Sequence, residues 1–263
     1  MNVNRTSSGP ALEGAIAELA RALRGARRIV ALTGAGLSAE SGIPTFRGAG
    51  GLWRNFSPQD LATPEAFARN PRLVWEWYDW RRDAICRAEP NPGHGALALL
   101  ERRSEGGFTL VTQNVDGLDD RAGILAAHGN PAGQASRNIL KLHGDIWTVR
   151  CVVCGAEERN EEVPLRVIPP RCRCGALLRP GVVWFGEPLP PETWRRAEEA
   201  SRRAEIFLVA GTSATVYPAA GLAEEARRSG ARVAVVNLEP TGLDFMADWV
   251  LHGKSGEILP RLI

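Results

Sequence analysis

The segment Val30–Gly48, VALTGAGLSAESGIPTFRG, constrains the fold more than any other part of the chain. An apolar strand runs into a glycine turn, and a loop rich in reactive-site residue types follows. Gly34-Ala35-Gly36-Leu37-Ser38-Ala39 fits G-x-G-x-x-G/A. In that pattern the first glycine permits a tight turn, the second lets a pyrophosphate approach the backbone, and Ala39 keeps helix and strand close. The helix start then offers free N–H groups to phosphates. A buried strand ending in a glycine turn is as common in α/β proteins that bind no nucleotide, so the motif alone leaves both readings open.

The hydride-transfer version of this fingerprint requires a second strand and an acidic residue about 20 positions on to hold the ribose. Here Gly42–Gly51 reads as a loop, and Asp60 sits in a polar, proline-flanked segment. Some other use of the dinucleotide is implied.

With 263 residues and 44% hydrophobic content, the chain can bury a core as one large domain, alone or carrying a smaller inserted module. Its 32 basic and 30 acidic residues are well mixed and sum to +2, which makes no electrostatic case for nucleic acid or membrane partners. Neither a membrane-length apolar run nor a secretory h-region is read, and a cytoplasmic monomer is expected.

Helical spacing over residues 11 to 26 precedes a strand from Arg28 to Thr33. Pro64 and Pro71 open helices in a block from 58 to 88, Gly95 to Arg103 is helical, and Phe108 to Thr112 reads as a buried strand. Asn138 to Leu142 leads to His143, and Val182 to Phe185 returns to a strand. The tail alternates helix 191 to 204, strand Ile206 to Ala210, helix 216 to 229 and strand Arg232 to Val236. Such alternation predicts an α/β fold with a doubly wound parallel sheet. Polar signatures follow strands at Gly34, Gln113, Gly211 and Asn237, where open sheets of this kind bind ligands. Gly123 to Arg137 reads as a surface insertion, with His128 facing solvent.

Cys151-Val-Val-Cys154 and Cys172-Arg-Cys174 approach the zinc pattern C-x2-C…C-x2-C, the second pair being one residue tighter. Four thiolates close a coordination sphere, so one structural Zn2+ is expected in preference to redox or merely buried cysteines. Cys86, on an aromatic-rich helix, is expected in the core.

GAGLSAESGIPTFRG, TQNVDGL, KLHG, the cysteine quartet, RPGVVWFGE, GTSATVYPAA and NLEPT together resemble the sirtuins, NAD-dependent protein-lysine deacylases, in order from about Ile29 to Leu259. The resemblance implies a Rossmann-type NAD-binding large domain of residues 11–48, 94–145 and 179–263. It also implies a small domain made of a helical insertion, 49–93, and a zinc-binding insertion, 146–178. NAD is then a consumed co-substrate: nicotinamide leaves C1′ of its ribose and the acyl group passes to the 2′-hydroxyl. Gly34, Ala35, Gly36, Ser38, Ala39 and Gln113 fall in the cofactor motifs. The resemblance gives Asn114 and Asp116 to the ribose and carboxamide, with Asn114 counted as catalytic. Phe46 would screen the sugar face and Arg47 would stand near the diphosphate. His143, after a buried strand and before a glycine, matches the family's general base, and a group titrating near neutrality suits removal of a hydroxyl proton. Gly211, Thr212, Ser213, Asn237 and Glu239 are assigned to the phosphates and adenosine ribose, and Ser255 to the adenine. Val183, Phe185 and Glu187 lie in the segment on which an acyl-lysine peptide would add by β-pairing. Ordinary core packing is the other reading of Val183 and Phe185.

Tyr78 and Arg81 stand at i, i+3 on one helix, which puts phenol and guanidinium on one face. Together they can clamp a carboxylate, favouring succinyl or malonyl over acetyl. By spacing alone an amphipathic helix with Trp75, Trp77 and Tyr78 in the core and Arg81 solvated fits as well. The surrounding DLATPEAF and VWEWYDWRR are similar to the desuccinylase and demalonylase subgroup, with small Ala62 and Ala66 suiting a roomier acyl pocket. Two alternatives remain, a non-catalytic sensor of NAD or acyl-lysine and a mono-ADP-ribosyltransferase. Retention of His143, Asn114 and Asp116 argues against the first, and the sequence does not address the second.

Overall fold

In strand β2, Ile29–Thr33, every residue is buried, as a strand covered on both faces requires. A computed structural model describes residues 4–6, 9–46, 52, 57–104, 107–124 and 138–263. Ile29 and Ala31 point into one apolar layer and Val30 and Leu32 into the other. Strand β8, Ile206–Ala210, divides in the same way, with Ile206 and Leu208 on the first face and Phe207 and Val209 on the second. The period-two geometry of a strand is what allows one segment to serve two layers.

These two strands sit at the centre of a seven-stranded parallel sheet. On one side of β2 lie β3, Phe108–Thr112, and β4, Ile139–Lys141. On the other side of β8 lie β9, Arg232–Asn237, β10, Trp249–His252, and β1, Asn4–Thr6. Helices α1, Pro10–Gly25, and α6, Pro92–Arg103, cover the first face, while α7, Pro191–Arg203, and α8, Gly221–Arg228, cover the second.

A third apolar layer joins α4, Pro64–Arg69, and α5, Pro71–Arg87, to a three-stranded antiparallel sheet. That sheet contains β5, Gly144–Cys151, β6, Glu157–Arg159, and β7, Leu178–Val182. The prolines predicted to open helices do so, each behind a side-chain cap. Thr63 Oγ1 accepts from Ala66 N at 3.0 Å, and Asn70 Oδ1 accepts from Leu73 N at 3.1 Å. Fully buried Trp75 donates its indole N–H to Leu178 O at 2.7 Å, which fastens α5 to β7.

Several expectations change. The strand read at Val182 to Phe185 lies earlier, ending at Val182, because Leu178 to Pro180 and Val182 pair with β5 and residues 185 and 186 turn. The helix read from 216 starts at Gly221, the preceding residues forming turns. Cys86 is exposed on the outer side of α5. Strand β10 escapes prediction because only a short 3-10 turn, Asp244–Met246, and loop separate it from β9. His128 and nearly all of the Gly123–Arg137 insertion, like Arg47, lie outside the described residues.

Candidate functional site

From β2 the chain winds outward through β3 to β4, and from β8 it winds the opposite way through β9 to β10. The order therefore reverses between β2 and β8, and at such a switch point the loops leaving the strand ends part to open a crevice. A cleft of about 1240 Å³ lies there. Of the residues expected to hold cofactor, Gly34, Ala35, Gly36, Ala39, Phe46, Gln113, Asn114, Gly211, Thr212, Ser213, Asn237, Glu239 and Ser255 all line it. Ser38 and Asp116 do not, and stand buried behind Asn114.

The glycine motif works differently from the sequence expectation. Gly34 has an extended backbone that any residue adopts, and a Cβ there would meet Thr212 Cβ at 2.7 Å. A Cβ on Gly36 would meet Gly211 O at 2.8 Å, and Gly36 N donates to that oxygen at 2.7 Å. Gly211, at φ +61°, is itself pressed against the backbone of Leu37. The glycines thus let the loops after β2 and β8 interlock, and the Gly36 N–H is spent on this contact instead of facing a phosphate.

Behind the cleft the polar side chains form one network. Asn114 Nδ2 donates to Gly34 O at 3.0 Å and Ser38 Oγ at 3.2 Å, while Ser38 Oγ donates to Asp116 Oδ2 at 2.8 Å. Asp116 Oδ1 accepts from Leu118 N at 2.9 Å. Burial pushes the Asp116 carboxyl above the usual range, opposed by those hydrogen bonds and by Arg81 and Lys141. His94, not singled out in the sequence, caps α6 by accepting from Asn91 N at 3.2 Å, and its Nε2 lies 3.5 Å from Ser38 Oγ. Its burial lowers the imidazole to about 4, so it is neutral. Asp119 is buried beside Asp116 and pushed up to about 7, first by desolvation and then by that neighbouring charge.

His143 lines the cleft with Nδ1 3.0 Å from Gln113 O. Burial pushes its pKa below the ordinary histidine value, partly offset by the Gln113 carbonyl.

At the far end of the cleft stand Ala62, Tyr78, Arg81, Val183, Trp184, Phe185 and Glu187. Ala66 packs in the core and does not line it. The solvated reading of Arg81 is overturned: the side chain is 8% exposed, its guanidinium 4.9 Å from the Phe46 ring centroid and 5.0 Å from that of Trp77. Val183 N donates to His143 O at 2.9 Å and Phe185 N to Ala62 O at 3.0 Å, so these two amides are committed within the chain. Glu187 borders the cleft but gives its carboxylate to Arg179, with Nη2 to Oε2 at 2.8 Å. Sequence reading also missed the cleft residues Glu40, Trp184, Trp194, Tyr217 and Lys254. Of these, Glu40, Trp184 and Tyr217 lay inside the recognised motifs, and Trp194 and Lys254 lay outside them.

Away from the cleft, the sulfurs of Cys151, Cys154, Cys172 and Cys174 lie within 4.8 Å of one another. The pairs Cys151–Cys174 and Cys154–Cys172 are 3.5 and 3.7 Å apart, too far for disulfides. They suit a tetrahedron of sulfurs on Zn2+, whose edge is about 3.8 Å for a Zn–S bond of about 2.3 Å. The tight C-x-C pair reaches this geometry through a turn in which Gly175 N donates to Cys172 O at 2.9 Å.

The fold and cleft have close counterparts. Residues 34–218 match the model of the Sir2 family. An NAD-dependent protein deacylase of Aquifex aeolicus is 56% identical over 235 residues, covering 89% of this chain and 93% of that protein. A crystal structure of a Sir2 homologue with NAD superposes with a TM-score of 0.84 at 44% identity, covering 98% of this chain and 94% of that one. A Sir2 protein holding a p53 peptide and NAD+ gives 0.80 at 34% identity, covering 93% and 95%. The likeness thus runs along nearly the whole length of both this chain and the relatives. The chain belongs to the Sir2 family of NAD-dependent protein deacylases.

Proposed function

We propose that the protein removes acyl groups from lysine side chains at the expense of NAD, and that it prefers acyl chains ending in a carboxylate, succinyl or malonyl, over acetyl. The observation that carries the preference is Arg81. It is a buried guanidinium lining the cleft beside Tyr78, with no carboxylate in ion-pair range among the described residues. An unpaired buried charge costs several kcal/mol, a cost that an incoming carboxylate relieves. Burial pushes the Arg81 pKa down, and the nearby Tyr78 and Asp116 oppose that shift.

NAD, when bound, supplies a ribose C1′ that nicotinamide leaves and a 2′-hydroxyl that receives the acyl group. The interlocked loops at Gly34–Gly36 and Gly211–Ser213, with Asn237, Glu239 and Ser255 beyond, would hold the dinucleotide along the strand ends. Ser255 Oγ, buried without a hydrogen-bond partner among the described residues, supports an adenosine end there. Asn114, oriented by Gly34 O and Ser38, would place the ribose, and Asp116 would support the carboxamide pocket from behind. His143 would accept a proton from the ribose hydroxyls through Nε2. Val183, Phe185 and Glu187 would border the peptide, and the four cysteines would hold one structural Zn2+. Residues 11–48, 94–145 and 179–263 would form the large domain, with 49–93 and 146–178 forming the small one. Its substrates would be acylated proteins, met by a monomer that needs neither nucleic acid nor membrane.

Incubation with NAD and acetyl-, malonyl- or succinyl-lysine versions of one peptide, read by nicotinamide release in mass spectrometry, tests both parts. No acyl-dependent release would refute the enzyme, and release favouring acetyl would refute the preference. A product in which ADP-ribose is attached to protein would instead indicate the transferase reading.

A further inference from the structure

The Tyr78 hydroxyl accepts a hydrogen bond from the Trp184 indole Nε1–H at 3.0 Å. A phenolic O–H lies in the ring plane and has two positions, one on either side of the C–O bond. A donor seated against one side closes that side to the hydrogen. Among the described residues the Tyr78 proton has no acceptor of its own, and the hydroxyl belongs to a residue that lines the cleft.

Trp184 is held firmly enough to make this choice. It is 3% exposed, and the Arg179 guanidinium lies 3.5 Å from its ring centroid. Arg179 is fixed in turn, donating to Val182 O at 2.9 Å and Glu187 Oε2 at 2.8 Å. The same Glu187 oxygen accepts from Trp184 N at 2.8 Å, which closes a ring of contacts from backbone to guanidinium to indole. Phe67 packs on the indole at 5.4 Å.

We infer that Trp184 is a specificity-determining positioning residue: its indole N–H turns the Tyr78 hydroxyl proton toward the terminal carboxylate of the acyl chain. The inference rests on the carboxylate-binding reading of Tyr78 and Arg81. An acetyl group has no such carboxylate, so only acid-ended substrates sense the orientation.

The test compares kcat and KM for succinyl- and acetyl-lysine versions of one peptide in the wild type, Trp184→Phe, Tyr78→Phe, the double variant and Arg81→Met. Phenylalanine keeps a ring over Arg179 and lacks only the donor and the second ring. The succinyl-to-acetyl ratio of kcat/KM is expected to fall about five-fold in Trp184→Phe, the worth of one neutral hydrogen bond, through KM for the succinyl peptide. In the Tyr78→Phe background the second substitution is expected to leave the ratio unchanged, because the indole proton has already lost its acceptor. A ratio unaltered by Trp184→Phe but collapsed by Arg81→Met overturns the inference alone, as does an additive loss in the double variant. A ratio unaltered by Arg81→Met overturns the carboxylate reading itself. Benzothienylalanine at position 184, an indole isostere without the N–H, gives the same comparison if Trp184→Phe does not fold.

Discussion

His143 Nδ1 stands 3.0 Å from Gln113 O, and a carbonyl oxygen can only accept. The imidazole proton is therefore on Nδ1, and Nε2 carries the free lone pair in a ring that lines the cleft. Because burial lowers the pKa, the ring stays neutral through physiological pH. Activity should fall as pH drops through a value below the ordinary 6.5 and not at it, which a pH profile of kcat/KM measures. His143→Ala should lower kcat about 10²- to 10⁴-fold with an unchanged circular dichroism spectrum.

The glycine interlock predicts opposite effects for one substitution at two places. Gly36→Ala drives a Cβ into Gly211 O and should cost about 1–3 kcal/mol in urea unfolding, and weaken NAD binding in calorimetry. Gly14→Ala, in the exposed interior of α1 with nothing within 4 Å, should stabilise by about 0.5–1 kcal/mol.

His94 and Asp119 set opposing pH dependences of stability. His94 is neutral when folded down to about 4, so the stability tied to it is present above 6.5 and lost as pH falls from 6.5 toward 4. The Asp119 carboxyl keeps its proton when folded up to about 7, so its contribution is full below 3.8 and lost as pH rises through 7. Urea titrations from pH 4.5 to 8 should show a gentler acid loss in His94→Gln. They should show Asp119→Asn gaining on the wild type as pH rises.

One zinc per chain is expected by atomic emission, and chelation should lower the melting temperature. Cys154→Ser should lower zinc content, whereas Cys86→Ser, at an exposed position outside the cluster, should not.

The sheet centre was legible because Ile29–Thr33 and Ile206–Ala210 are continuous apolar runs that end in Gly34 and Gly211. The cysteine cluster was legible because ligand spacing is local in sequence. What stayed hidden depends on partners distant in the chain. Nothing near Gly36 announces Gly211, and nothing near Tyr78 announces Trp184, 106 residues away. His94 reads as an unremarkable helix residue until α6 is laid against Ser38. Cys86 misled for the converse reason, since an apolar neighbourhood in sequence does not fix which side of α5 it occupies.

The passage from β4 to β5 is two residues, Leu142 and His143, and it carries the chain from the large sheet into the small one. Gly144 turns it at φ +79° with no room for a side chain against Gly181. The chain leaves the small sheet after β7 through Val183, whose N–H is bonded to His143 O. His143 thus sits where the chain crosses between the two sheets, with the way in and the way out tied by one hydrogen bond, so the place of its imidazole depends on both sheets at once.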